Sequence, residues 1–337
     1  MVIRKYQESD KKDFDKLASH PLAATAWGDF RAKTGVGVLR LVRESNNKII
    51  EAAQITLHRI PRTPWKIAYW PKCNLVSSEM IEWIKVKLEQ QGVVMLKMEP
   101  NIRIDKQVEV DAMLTNYRIA RGKPLFTKWS FEINLLNSLD ELMAGMKQKT
   151  RYNTKLAMKK GVEVKIDNTK SSFEEYWKLT EETTKRQGFY AHTKKYHEQM
   201  FETLTKSGIA NLFVARYQDK VLATWVIFEL NGIVYYPYGA STRDDRNVFA
   251  SNLLMWEVIC WAKKRGNTTF DLWGSPGPSP KDTDPWAGFH KFKEGFGATL
   301  YETVGTYDLI LRPNLYKAYL AIEKLRWMLL KLARRWN

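Results

Sequence analysis

The sequence predicts an α/β (α+β) protein built from two tandem domains of one architecture. Two observations carry that prediction. The order helix, hairpin, strand, helix, strand runs along the chain twice. The two copies share little residue identity, and their period is far too long for a solenoid, so they read as an old duplication. A length of 337 residues allows one large domain or two ordinary ones, and 44% apolar side chains can build a real core.

Phe14, Leu17 and Ala18 place a short amphipathic helix between Glu8 and His20. The strand-like runs "VGVLRLV" (36–42) and "IIEAAQITLHRI" (49–60) read as a hairpin turning at Asn46-Asn47. "KIAYW" (66–70) is a third strand. "SSEMIEWIKVKLEQQG" is a helix with a serine cap and Gly92 at its end. "VVMLKMEP" (93–100) is a strand closed by Pro100. In the second copy, Ser138 and Glu141 form a capping box that starts a helix. "SSFEEYWKLTEETTKRQG" is a capped helix ending at Gly188. "NLFVARY" (211–217) and "VLATWVIFEL" (221–230) pair through "QDK", and Asn231-Gly232 turns the chain into "IVYYPYGA". A helix, "SNLLMWEVICWAKKRG", and a strand, "TTFDLWG", complete the copy. "LYETVGTYDLILRP" reads as one last strand, followed by a helix starting near Pro313. The expected domains are residues 1–137 with 306–337, and residues 138–305.

The formal net charge is +17. Such an excess suits nucleic acid, anionic headgroups or polyphosphate-bearing substrates, and a generally basic surface is the plain alternative. Cys73 and Cys260 are far apart and show no metal spacing; both read as buried thiols of a reducing compartment. The charged start "MVIRKYQESDKKDFDK" does not read as a signal peptide, and no apolar run reaches the roughly 20 residues of a membrane span. The expectation is a cytoplasmic protein, with peripheral contact at the inner membrane face open, and a monomer. The phosphate-cradling motifs GxxxxGK[ST] and GxGxxG are absent, as are GxSxG and HExxH. An enzyme of this composition works by binding, orientation and charge stabilisation.

"DPWAGFHKFKEGFGA" (284–298) is the most distinctive stretch. It reads as a short helix stopped by Gly295 or Gly297. Lys291 and Lys293 sit two apart, so on a helix they leave different faces. One can meet a cleft while the other meets solvent; both can equally be solvated. A second basic feature runs from Lys147 to Lys160, where Lys147, Lys149, Arg151, Lys155, Lys159 and Lys160 meet no acid until Glu163. It suits phosphate groups such as those of nucleic acid, with a solvated helix face as the alternative. The last helix is basic and amphipathic, carrying Lys317, Lys324, Arg326, Lys331, Arg334 and Arg335 with Trp327 and Trp336. Docking on the first domain is the first expectation for it, and an anionic membrane face the second.

Five segments occur in a telling order: "KTRYNTKLAMKKGVEV", "RQGFYAHTKKYHEQM", "YYPYGAS", "NLLMWEVICWAKKRG" and "DPWAGFHKFKEGFGA". Together they resemble the FemABX family of peptidoglycan-bridge aminoacyltransferases, most densely from about 138 to 305. The run from Gly288 through Phe292, Lys293, Gly295, Phe296 and Gly297 is the most specific part. The resemblance implies two tandem GNAT-like domains, with the last helix packing back on the first. It implies transfer of an amino acid from aminoacyl-tRNA, as co-substrate and with no other cofactor; no metal is expected, since the five histidines show no metal spacing. The acceptor would be the stem-peptide amine of UDP-MurNAc-pentapeptide or lipid II. It places Lys293, with Phe292 beside it, at the reaction, and sends Lys291 to solvent. It aligns His192, Tyr196, Tyr236 and Tyr238 with residues that contact precursor. In "TAWGDFRAK", Arg31 or Lys33 would meet the diphosphate. Glu99, before Pro100, would accept a proton or hold a loop. No heptads for the family's coiled-coil arm occur. Two other readings stay open. One is an acyl-CoA-dependent N-acyltransferase, although "RDDRNVFASNLLMW" lacks the glycines of a pyrophosphate turn and puts Phe249 there. The other is a non-catalytic RNA- or membrane-binding protein of the same fold.

Overall fold

The computed structural model describes residues 1–187 and 192–333, with backbone only at 187, 327 and 330–333. Gly188, Arg334, Arg335 and Trp336 lie outside the described residues, as do the side chains of Trp327 and Lys331. The chain forms two compact units, Met1–Pro124 with Val304–Asn337, and Leu125–Thr303. Each unit holds one seven-stranded sheet.

The chain begins with β1 (Val2–Lys5), α1 (Lys11–Leu17), α2 (Thr25–Lys33), β2 (Gly37–Ser45) and β3 (Lys48–Arg59). It continues through β4 (Lys66–Cys73), α3 (Ser78–Gln90), β5 (Val93–Pro100), α4 (Gln107–Leu114) and β6 (Ile119–Arg121). The second unit begins with β7 (Trp129–Asn134), α5 (Leu139–Gly145), α6 (Gln148–Lys159), β8 (Glu163–Ile166), α7 (Lys170–Gln187) and α8 (Lys194–Lys206). It goes on through β9 (Ala210–Tyr217), β10 (Lys220–Leu230), β11 (Ile233–Ser241), α9 (Ala250–Lys264), β12 (Thr269–Ser275), α10 (Ala287–Gly295) and β13 (Thr299–Glu302). Last come β14 (Tyr307–Ile310) and α11 (Pro313–Ala333).

Local chemistry accounts for the hairpins. Asn46 and Asn47 sit at φ +50° and +59°, and Gln218 and Asp219 at +49° and +62°. Two consecutive left-handed residues match the right-handed twist of the flanking strands. Ser77 caps α3 by accepting from the Met80 N–H, and the Ser138–Glu141 capping box forms at α5.

The sheet orders are β1-β2-β3-β4-β5-β14-β6 and β8-β9-β10-β11-β12-β7-β13. They correspond position by position, with one parallel pair in each, β4–β5 and β11–β12. The sixth position of each sheet is filled out of sequence. β7 precedes the rest of its own sheet in the chain, and β14 follows the whole second unit. The expected single strand 300–313 is therefore two. It breaks at Gly305, which takes φ +85°, and its halves join different sheets. β14 is held in the first sheet by a buried cross-strand ion pair, Lys97 Nζ to Asp308 Oδ1 at 2.7 Å. Asp308 also accepts from the Tyr316 hydroxyl of α11 at 3.0 Å, and Tyr316 packs with Val94 and Met95 of β5. The early turns of α11 thus dock on the first sheet.

The two parallel pairs differ in a way that positions the site. β4 and β5 stay paired from Lys66↔Val93 to Cys73↔Pro100. β11 and β12 pair only at Ile233↔Thr269, Val234↔Phe270 and Tyr235↔Asp271, and then part. Bulges in both strands fall at that point. Tyr236 and Pro237 oppose Ile227 of β10 alone, and Leu272 and Trp273 oppose Phe131 alone. The second sheet therefore opens a wedge beyond Tyr235 and Asp271.

Candidate active site

A cavity of about 400 Å³ occupies that wedge in the second unit. Tyr236, Tyr238 and Gly239 of β11 form one wall, and Trp273 and Gly274 of β12 another. α7 contributes Tyr176 and Thr180, and α8 contributes His197. α10 closes the remaining side with Phe289 and Lys293. The cavity shares Thr183, Tyr236, Gly239 and Phe289 with a neighbour of about 250 Å³, which reaches Arg186, Ser251 and Phe292. The two form one groove along β11.

α10 is pinned to β12 at two points three residues apart, on one helix face. His290 Nδ1 and Ser275 Oγ share a hydrogen bond of 2.9 Å, with both residues buried. Lys293 Nζ donates to the Gly274 carbonyl at 2.6 Å and the Trp273 carbonyl at 3.3 Å. Lys293 is only 7% exposed, and burial pulls its ammonium down to about 8, opposed by the charge of Asp271. Near neutrality it is thus mostly cationic, with carbonyls and no carboxylate among its hydrogen-bond partners. Lys291 lies on the other face, solvent-exposed and paired with Asp282 at 2.7 Å. Phe292 turns away from the cavity's Lys293 wall; it meets Trp225 and Phe296 edge-on and lines the neighbouring cavity.

Asp271 organises the lysine's carbonyls. Its Oδ1 accepts from Ser130 Oγ at 2.8 Å and from the Trp273 N–H at 2.7 Å, and its Oδ2 from the Tyr301 hydroxyl at 2.5 Å. Ser130 Oγ also reaches the Trp273 carbonyl at 2.8 Å. Trp273 sits at φ +65°, a conformation that costs a bulky residue roughly 1–3 kcal/mol. The Asp271 carboxylate offsets that cost by bracing both sides of the bulge.

The opposite wall is aromatic. His192 stacks on Tyr196 with centroids 3.8 Å apart, and Tyr196 and Tyr238 both meet His197 edge-on. His197 is buried and shares a 2.9 Å hydrogen bond with the Tyr176 hydroxyl. Burial, with His192 nearby, lowers it to about 4, so its imidazole is neutral at physiological pH. Tyr236 stacks on Trp225 at 4.1 Å. His192, Tyr196, Tyr236 and Tyr238 are thereby brought together, with Tyr196 tied in through the His192 ring.

His197, Tyr176, Asp271 and Trp273 escaped the sequence reading. His197 had a signal, since it opens the apolar stripe continued by Met200, Phe201 and Leu204. Asp271 had one too, an acid inside an otherwise apolar strand.

In the first unit, Glu99 is buried and accepts from the Tyr69 hydroxyl at 2.5 Å and from Thr306 Oγ1 at 3.0 Å. Arg31, in the last turn of α2, counters the upward shift that burial and Glu99 impose on Tyr69. It also adds to the burial that lowers His58 to about 4. Lys33 is exposed on the same turn. On the basic ridge, Lys149 and Lys155 are exposed, and Lys147 pairs with Glu294 at 2.6 Å. Arg151 is turned inward, donating to the Ala144 and Met146 carbonyls at the end of α5.

The glycines after Lys293 serve packing. A Cβ on Gly297, at φ +74°, would stand 2.7 Å from the Gly145 carbonyl oxygen, whereas one on Gly288 meets nothing within 4 Å. Gly297→Ala is expected to cost about 1–3 kcal/mol in urea unfolding. Gly288→Ala, in the first turn of α10, should cost nothing measurable.

A family model described as an acetyltransferase (GNAT) domain matches residues 144–284. The lipid II:glycine glycyltransferase of Staphylococcus epidermidis is 22% identical, over 94% of this chain and 94% of its own length. The enzyme of the same name from Staphylococcus aureus is 21% identical, covering 89% and 91%. The crystal structure of FemX superposes with a TM-score of 0.85 at 19% identity, over 94% of this chain and 99% of the other. A tandem GNAT protein from the clavulanic acid biosynthesis pathway gives 0.55 at 9% identity, covering 92% and 98%. Fold and wedge together define a tandem GNAT-fold acyltransferase. The order of its motifs and the similarity along nearly the whole chain narrow that class. Along nearly its whole length the chain is similar to these lipid II:glycine glycyltransferases, and its fold is that of FemX.

Proposed function

We propose that the protein transfers an amino acid from aminoacyl-tRNA to the stem-peptide amine of lipid II, building a peptidoglycan interpeptide bridge. The observation that carries this is the buried, mostly cationic Lys293 in an aromatic cavity at the sheet's wedge. The relatives, lipid II:glycine glycyltransferases, suggest lipid II as acceptor and glycine as the first amino acid to test.

The chemistry is aminolysis of an ester. The neutral amine nitrogen attacks the aminoacyl carbonyl, a C–N bond forms, and the carbonyl oxygen takes up negative charge. The ester C–O bond then breaks, and the ribose hydroxyl leaves with the proton that the amine sheds. Lys293 meets the oxyanion; one such donor is worth about 3–4 kcal/mol. His197, neutral, orients the Tyr238 side of the cavity and carries no charge that would compete. Lys149 and Lys155 supply exposed positive charge for tRNA phosphates. Arg31 and Lys33 are the cations proposed for the precursor diphosphate. Glu99, already accepting two hydrogen bonds, suits holding Tyr69 better than taking a proton.

The acyl-CoA reading finds less support. Phe249 precedes α9 at φ +55°, and its ring lines the cavity there, where a pyrophosphate needs bare backbone N–H groups. The test is transfer of radiolabelled glycine from charged tRNA to purified lipid II. Labelled lipid II is the expected product. Turnover with acetyl-CoA and none with charged tRNA overturns the proposal.

A further inference from the structure

α11 carries an apolar face that its docking leaves unused. Its inward face is Tyr316, Tyr319 and Glu323; the tyrosines pack around β5, and Glu323 faces Lys123 at 3.6 Å. Beyond these, Ile322 is 67% exposed, Leu325 51%, Met328 53% and Leu329 57%. At about 100° per residue these four, with Ala321, fall within an arc of about 120°, opposite the docked face. Lys317 and Lys324 border one edge of the arc and Arg326 the other, and all three are exposed. The helix's single acid between Pro313 and Ala333, Glu323, is turned inward to Lys123.

We propose that this face of α11 lies on an anionic membrane surface, with its apolar arc among the acyl chains and its lysines and arginine at the headgroups. Charge complementarity selects that partner. Large apolar side chains gain nothing from an RNA backbone, whose affinity comes from phosphate neutralisation. A second copy would bring the same basic edges together within a chain of net charge +17. An apolar arc edged by cations matches the boundary of an anionic bilayer. No described helix is long and apolar enough to cross a membrane, so the contact is peripheral. The proposal is independent of the transfer chemistry, because it rests on α11 alone.

The experiment is sedimentation of the full chain with vesicles that contain no peptidoglycan precursor. Vesicles of equal phosphatidylglycerol and phosphatidylcholine are expected to carry the protein down, in a salt-sensitive way. Pure phosphatidylcholine should bind it at least about tenfold more weakly. The triple variant Ile322→Glu, Leu325→Glu, Leu329→Glu should lose at least about tenfold in affinity with its thermal midpoint unchanged, since all three side chains are exposed. Lys317→Glu with Lys324→Glu, which leaves the arc intact, should lose about as much on anionic vesicles and nothing on neutral ones. Three results overturn the proposal. They are no binding to anionic vesicles, full binding by both variants, and self-association of the wild type that the triple variant abolishes.

Discussion

Lys293→Met is expected to lower kcat by about 10²–10³ while leaving the fold intact. Methionine fills nearly the same volume without a charge to desolvate. Ser130 Oγ lies 2.8 Å from both Asp271 Oδ1 and the Trp273 carbonyl and can turn its one proton to that carbonyl, so of the two acceptors only the Gly274 carbonyl loses its lysine contact outright. The KM for lipid II should change little, because the lysine meets charge that develops during reaction. Lys293→Arg should not rescue, since a planar fork is too wide for a site that holds one ammonium against two carbonyls. The pH profile gives a second check. Cationic Lys293 is the working form, so kcat should fall as pH rises through about 8. That limb should vanish from the residual activity of Lys293→Met. Stability moves the other way. The folded-state value lies below the ordinary lysine value of 10.5, so between the two the unfolded chain binds more protons, and stability rises with pH over that window. Undiminished activity in Lys293→Met would remove the lysine from the mechanism.

Asp271→Asn is expected to cost about 3 kcal/mol of stability and to move the same limb toward acid. Three donors converge on the carboxylate, and an amide can accept at only one of its two atoms. The Tyr301 contact must then reverse, with the amide donating to the hydroxyl, and all three bonds lose their charged acceptor. The limb moves because Asp271 is the charge that holds Lys293 up against burial. Without it, less of the lysine is cationic at neutral pH and transfer slows. Urea unfolding measures the first effect and a kcat profile the second. A limb that stays at about 8 in a destabilised variant would give Asp271 a structural role only.

Features whose causes are local were legible in the sequence. Turns at Asn46-Asn47 and Asn231-Gly232, caps at Ser77 and Ser138, and the doubled order of elements all depend on residues a few positions apart. The choice between Lys291 and Lys293 needed more than spacing, which separates their faces without saying which face meets a cavity. The resemblance supplied the choice, and the structure buries Lys293 while pairing Lys291 with Asp282 at the surface. Long-range features stayed hidden. The break at Gly305 was masked by a continuous β-rich run, and only pairing across the chain separates its halves. Trp273 gives no hint in sequence of its left-handed backbone, because the Asp271 brace two positions away is completed by Ser130, 143 residues distant. Helix α2 was met only as a stretch bearing Arg31 and Lys33, since glycine and threonine weaken its helical pattern.

The exchange of β7 and β14 sets a timetable for folding. A chain emerging from its N-terminus has made β6 by residue 121, yet the strand that must lie between β5 and β6 begins at residue 307. The first sheet waits with a gap through the whole synthesis of the second unit. The second sheet has every strand by residue 302. The unit begun first is therefore finished last. The interval exposes the unpaired edges of β5 and β6, which is where premature pairing would do harm. Lys97, inside that open edge, is an inward charge until Asp308 arrives, and it discourages any strand that lacks the matching acid.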